Sequence, residues 1–277
     1  MDYEAWRRAR SIEEEFLNSL RYVVDLFGKI CSLSGDDQQE YVRRMNNFQN
    51  SFAYEKFIFS AVRRMVTPLA MSNYNTWRKA AREQTKSKQI YQALMQEIQE
   101  GLHSDIESQV LSNAALIRTL PNDVAQKVVL DIRDYTFTGE RATTIAELIR
   151  DKTAQHAGAS ARLIARTEVS KTTTALTRAR SENLGLKWYI WRTAQDGDRV
   201  RKSHRIMEGV LVRWDNPPSP EALVGEKSEG NYHAGEIWNC RCYPEPLIEL
   251  DDIQWPAKVY LNGVIRTMGR REFEQIA

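Results

Sequence analysis

The chain has 277 residues, 42% of them hydrophobic and 27% charged, with a formal net charge of +2. That length suits one large domain or two ordinary ones, and the composition excludes a disordered chain. The near-neutral balance excludes a protein that advertises nucleic-acid binding by bulk charge, and no apolar run approaches membrane-spanning length.

The first 155 residues read as helices. Trp6, Ile12, Phe16, Leu20, Val23, Phe27 and Ile30 recur at helical spacing, an amphipathic stripe that Cys31 joins as a small core residue. Ser34-Gly35-Asp36-Asp37 ends this helix and caps the next. Tyr41, Met45, Phe48, Phe52, Phe59 and Val62 carry the pattern on to Pro68, with Phe57 rotated off the stripe and so predicted to face a partner. Ser72 opens a third predicted helix that runs to Gly101. Helices follow over 103–119 and 122–134, split by Pro121, and Thr144 opens another short one. A long helix is predicted from Ala159 to Leu184, stopped by Gly185. One face of it holds Ile164, Glu168, Thr172, Ala175 and Ala179. A carboxylate among such neighbours needs a partner, and Glu168 is expected to find Arg199, Arg201 or Arg241.

After Gly185 the texture changes. Residues 187–192 and 210–214 are rich in aromatic and β-branched types and predict strands. Asn216-Pro217-Pro218-Ser219-Pro220 begins a long loop. Asn262-Gly263 between two alternating runs predicts a type I′ hairpin. The expected class is α+β: a helical region over 1–155, then a small α+β module over 156–277.

The stretch 162–213 is rich in Lys and Arg, whereas 216–254 is acidic. Opposite faces of one module, partly neutralising each other, explain both better than a dedicated DNA groove does. Within the basic stretch, Asp198, Arg199, Arg201, Lys202 and His204 crowd one turn. Guanidiniums there suit carboxylate or phosphate pairing, and the same order suits a helix start with its acid first. Asn239-Cys240-Arg241-Cys242 offers two soft ligands. With His204 or His233 they could complete a tetrahedral zinc site, or pack as a reduced pair against the Trp191 strand. A cysteine count of three, without a framework, points to a reducing compartment. The Met1–Arg8 stretch has no apolar core of a secretory signal, so a cytoplasm, or a particle assembled in one, is expected. No glycine-rich phosphate loop, nucleophile elbow or His-Glu-x-x-His is present.

Taken in order, these blocks resemble the Mu F-like proteins of phage head morphogenesis. Ala165-Arg166-Thr167-Glu168 on a helix, Trp191 on a strand, Asp198, Arg201 and His204 on a turn leading to Gly209, and Asn239-Cys240-Arg241-Cys242 match across roughly 160–246. Two departures stand out: Ile237-Trp238 precedes the last block where the family has a small residue or proline, and Arg201 and His204 stand where some relatives carry Cys-x₂-Cys. The resemblance thus implies a salt-bridged, hydrogen-bonded staple with no cofactor, zinc being the alternative. It implies a minor head protein, not an enzyme, with portal, major capsid or scaffold partners and contact with genomic DNA. Its expected location is the virion head, after assembly in the host cytoplasm, with no membrane involvement. A metal-dependent nuclease or other nucleic-acid-processing enzyme is the alternative reading.

Overall fold

The computed structural model describes residues 6–7, 9–83, 87–100, 103–137, 142–195 and 199–277. Among the described residues, seven long helices come first: α1 (Arg10–Ser34), α2 (Gln38–Gln49), α3 (Phe52–Glu83), α4 (Ser87–Glu100), α5 (His103–Arg118), α6 (Leu120–Phe137) and α7 (Ala142–Asn183). Then follow β1 (Trp188–Arg192), α8 (Lys202–Arg205), β2 (Leu211–Arg213), α9 (Pro220–Leu223), β3 (Tyr243–Pro246), β4 (Ala257–Leu261), β5 (Val264–Met268) and α10 (Arg270–Phe273). The expected α+β class holds.

The chain forms two compact units, one of 10–67 and 107–168, the other of 1–9, 68–106 and 169–277. The division falls within α7 at 168/169, past the expected boundary at 155/156, and also within α3 and α5. The predicted short helix at Thr144 and the predicted long one are a single helix. Gly158 lies inside it, and one glycine costs only about 1 kcal/mol of helix propensity. Pro68 is a second difference. α3 continues past Pro68 and Ser72, and the predicted third helix is the end of α3 plus a separate α4. Met65, Val66, Leu69 and Ala70 are all buried around that proline, so packing outweighs its lost hydrogen bond.

In the helical unit the α1 stripe is the core: Phe16, Leu20, Val23, Phe27 and Cys31 are buried. Gly35 takes a positive φ of 58° after α1, and the Asp37 carboxylate caps α2 by accepting from the Glu40 N–H at 2.9 Å. Ala157, Ala161 and Ala165 are buried at four-residue steps, a small-residue seam on α7. Two buried hydroxyls tie its helices together: Tyr41 Oη and Thr153 Oγ1 share a 2.8 Å hydrogen bond, and Tyr54 O–H donates to the Ile117 carbonyl at 2.9 Å. Phe57 is half-buried against Tyr22, with ring centroids 5.5 Å apart, so it is not the exposed aromatic expected from phase. Phe52 is, at 78% exposure, because it stands at the first turn of α3.

The second unit is built on a five-stranded sheet ordered β3-β1-β2-β4-β5. All pairings are antiparallel except β2 with β4. β1 is buried on both faces. Tyr189 and Trp191 point into one cluster with Val210, Val212, Trp214, Cys240 and Cys242. Trp188 and Ile190 point into another with Leu211, Val259 and Phe273. The predicted hairpin is β4–β5, with Asn262 and Gly263 at φ 51° and 82° in the turn, as a type I′ turn requires. α7 ends at the predicted glycine: Gly185 has φ 69°, and the N–H groups of Gly185 and Leu186 donate to the carbonyls of Glu182 and Ser181.

Candidate functional site

The site lies on the Tyr189/Trp191 face of the sheet. Gly209 begins it, since its φ of 74° lets the chain turn back onto β1. The Gly209 N–H donates to the Trp191 carbonyl and the Trp191 N–H to the Val210 carbonyl, both at 2.9 Å. The segment just before that turn is α8, which places His204 edge-on to the Trp191 indole, centroids 5.6 Å apart.

A loop from Tyr232 to Cys242 closes over this face. It is fixed to the later part of α7 by Thr174, whose hydroxyl donates to the Ala234 carbonyl at 2.7 Å. Gly235 sits beside that bond at φ 92°, and a Cβ there would come within 2.6 Å of Thr174 Oγ1. Asn239 takes φ 55°, a left-handed conformation that asparagine tolerates, and turns the chain into Cys240.

His204, Cys240 and Cys242 meet in the interior at 2%, 2% and 3% exposure. His204 Nδ1 is 3.5 Å from Cys240 Sγ and 3.3 Å from Cys242 Sγ. The Cys242 N–H donates to Cys240 Sγ at 3.4 Å. On the far side of the imidazole, Nε2 is 3.0 Å from Tyr232 Oη. The Tyr232 hydroxyl donates to Glu221 Oε1 at 2.6 Å, and Ser203 Oγ donates to the same oxygen at 3.1 Å. Having spent its proton on Glu221, the Tyr232 oxygen accepts from His204 Nε2–H. In the neutral ring Nδ1 therefore keeps its lone pair, aimed at the two sulfurs.

The electrostatics follow from this wiring. Burial raises a carboxylate's pKa, but hydrogen bonds from Tyr232, the Glu221 backbone and Ser203 hold Glu221 below its ordinary value. Burial also raises a thiol. Against that, hydrogen bonds from the Cys242 side chain and backbone bring Cys240 well below the ordinary thiol value, whereas burial and the neighbouring Cys240 push Cys242 well above it.

The other expected site residues are distributed around this centre. Arg201 donates to the Trp238 carbonyl at 3.0 Å, and its guanidinium lies 5.3 Å from the centre of the Trp238 ring. Arg199 is exposed, and Arg241 is half-buried. Asp198 lies outside the described residues. Arg166, Thr167 and Glu168 belong to the helical unit. There Arg166 pairs with Glu13 at 3.5 Å, and Thr167 and Glu168 are 5% and 3% exposed. His233 does not join the sulfurs. Its Nδ1 faces Tyr189 Oη at 3.2 Å and its Nε2 faces the Arg178 guanidinium at 3.4 Å, so both ring nitrogens are engaged elsewhere.

Tyr232, Glu221, Gly235 and Thr174 were not legible as site residues. Glu221 follows Pro220 in an acidic loop and reads as solvated surface, and only its tertiary position makes it the anchor of the imidazole. Tyr232, next to His233, was the one available hint.

Fold and site together define a two-unit α+β protein whose small sheet carries a buried imidazole–dithiol cluster. Residues 126–244 match the family described as phage Mu protein F like protein. A protein of Haemophilus influenzae (strain Rd), described as uncharacterized, is 32% identical over 139 residues, which is 50% of this chain and 28% of the relative. The chain thus spans less than a third of that relative's length. No solved structure matches it.

Proposed function

We propose that the chain is a minor head protein that acts in phage head assembly. The observation that carries this reading is the Mu F-like match over 126–244, a range that holds the whole imidazole–dithiol cluster. In this reading it resides in the virion head, assembles there in the host cytoplasm, and binds the portal, the major capsid protein or a scaffold. Phe52, Leu111 and Leu130, all at least 58% exposed on the helical unit, suit a partner-binding role. Contact with packaged DNA belongs to the same proposal. Its role is structural rather than catalytic. His204, Cys240 and Cys242 are soft ligands, unlike the carboxylate set that holds magnesium for phosphodiester hydrolysis.

Mass spectrometry of purified heads and tailed particles tests this. The expected result is the chain in both at a few copies per particle, and a deletion that lowers the yield of filled heads. Its absence from both, with normal heads from the deletion, would overturn the reading.

A further inference from the structure

We propose that His204, Cys240 and Cys242 form a binding site for one thiophilic divalent cation, zinc in the cell. Three observations carry this, and none depends on the role in head assembly.

The first is distance. His204 Nδ1, Cys240 Sγ and Cys242 Sγ all lie within 4.8 Å of one another. In a tetrahedral zinc site the nitrogen and sulfur ligands are about 3.6 Å apart, given bonds of about 2.0–2.1 Å and 2.3 Å. The two nitrogen–sulfur separations here, 3.5 and 3.3 Å, are edges of nearly that length. A cation enters this arrangement with small adjustment.

The second is tautomer. A histidine ligand is ordinarily oriented by a hydrogen bond from its other nitrogen to an acceptor backed by a carboxylate. His204 has that arrangement in the Tyr232 oxygen and Glu221 behind it, at 3.0 and 2.6 Å. The nitrogen left unprotonated is the one that faces the sulfurs. Had Tyr232 donated to His204, Nδ1 would carry the proton and be useless as a ligand.

The third is construction. Cys240 and Cys242 come from a loop and His204 from α8, and each is anchored separately. The Asn239 and Gly235 turns and the Thr174 bond hold the loop, and Ser203 and His204 tie α8 to Glu221. The site is therefore set by the fold rather than gathered by the metal. Among the described residues it is the one group of three or more His, Cys, Asp or Glu side chains so disposed. The fourth position is left to water or a small anion. On binding, the thiol protons pass to solvent and both sulfurs coordinate as thiolates.

The competing structure is a metal-free pair of thiols hydrogen-bonded to the imidazole, and cobalt separates the two. The full chain, purified without chelator and then stripped, is titrated with Co²⁺. The expected result is a thiolate-to-cobalt charge-transfer band in the near ultraviolet that saturates at about one equivalent and is displaced by zinc. Cys240→Ser and Cys242→Ser should abolish the band, and Cys31→Ser should leave it intact. Tyr232→Phe, which removes one hydroxyl from the interior, should weaken cobalt binding about ten-fold or more. This variant keeps the test decisive if a cysteine variant fails to fold. No band in the folded wild-type chain at millimolar cobalt overturns the proposal. So does a band that depends on Cys31, or full-strength binding by Tyr232→Phe.

Discussion

The two units of this chain are stabilised in different ways. The helical unit buries a periodic apolar stripe, with neutral hydrogen bonds such as Tyr41–Thr153 and a single buried carboxylate, Glu168, among its described residues. The sheet unit buries charge and imidazole: Arg180, His204, Glu221, His233 and Glu245 are all under 6% exposed. An apolar stripe tolerates small shifts, because the hydrophobic effect has no direction. Buried charges do not, because each requires a partner at one place. The site occurs in the unit whose interior is polar. All seven tryptophans also lie there, so indole fluorescence follows the sheet unit alone.

The largest effect should come from Arg180. Its Nε donates to Glu97 at 2.9 Å and another of its nitrogens bonds Asn73, which in turn donates to Thr177 at 2.8 Å. Arg180→Ala leaves the half-buried Glu97 and the buried Asn73 without their cation, and should cost about 3 kcal/mol in the fluorescence-detected denaturant transition. The double change Arg180→Met with Glu97→Leu should recover most of that. If Arg180→Ala alone costs under about 1 kcal/mol, the contrast between the units fails.

The matching test in the helical unit is Leu20→Ala. Leu20 is fully buried on α1. Truncation should cost about 3 kcal/mol through lost transfer energy and an unfilled cavity. It should appear in far-ultraviolet circular dichroism.

Those two residues also show how far the sequence could be read. Leu20 was legible because a three-to-four-residue spacing marks a helix face without knowledge of what covers it. Asn262-Gly263 was legible because a two-residue turn carries its own conformational demand, and the Ala-Arg-Thr-Glu and Asn-Cys-Arg-Cys blocks were legible as motifs. Arg180 was not: a basic residue in the last turn of α7 reads as solvated and favourable to the helix dipole. β3 was missed for a related reason. Pro244 and Pro246 argue against a strand, yet β3 is an edge of the sheet, where a missing N–H is tolerated. The division of the chain into non-contiguous units was hidden because α3 and α7 each supply residues to both, and no composition shift marks the crossing.

A pH titration sharpens the contrast. Burial, and then repulsion from Arg178, lowers the His233 pKa from 6.5 to about 4. The unfolded chain binds that proton near its ordinary pKa, and the folded unit resists it. His233 therefore contributes stability that is present in full above pH 6.5 and is lost as pH falls toward 4, up to about 3 kcal/mol. The groups facing it are Tyr189, Arg178 and Glu236, whose carboxylate accepts from the His233 N–H. Burial raises the pKa of Glu236 and of Glu245, so both oppose the histidine by favouring the folded state at low pH. Comparison with His233→Asn isolates the histidine: the variant's fluorescence transition should vary less between pH 7 and 5. An equal slope in both proteins would show that His233 is protonated as easily folded as unfolded.

The smallest expected effect is at Phe52, and it tests the apolar side of the comparison. This ring stands on the first turn of α3 at 78% exposure, whereas Phe27, in the same unit, is fully buried. Exposed apolar area contributes nothing to folding that a polar side chain would lose, so Phe52→Ser should change the stability of the helical unit by no more than about 0.5 kcal/mol. Phe27→Ala provides the scale, at about 3–5 kcal/mol. If Phe52 instead serves the proposed partner contact, the serine variant should melt normally and co-sediment less with heads. A melt lowered by more than about 1 kcal/mol would mean that the ring is covered by the chain itself. The apolar stripe would then extend beyond the positions that helical spacing marks, and the helical unit would no longer be the simpler of the two.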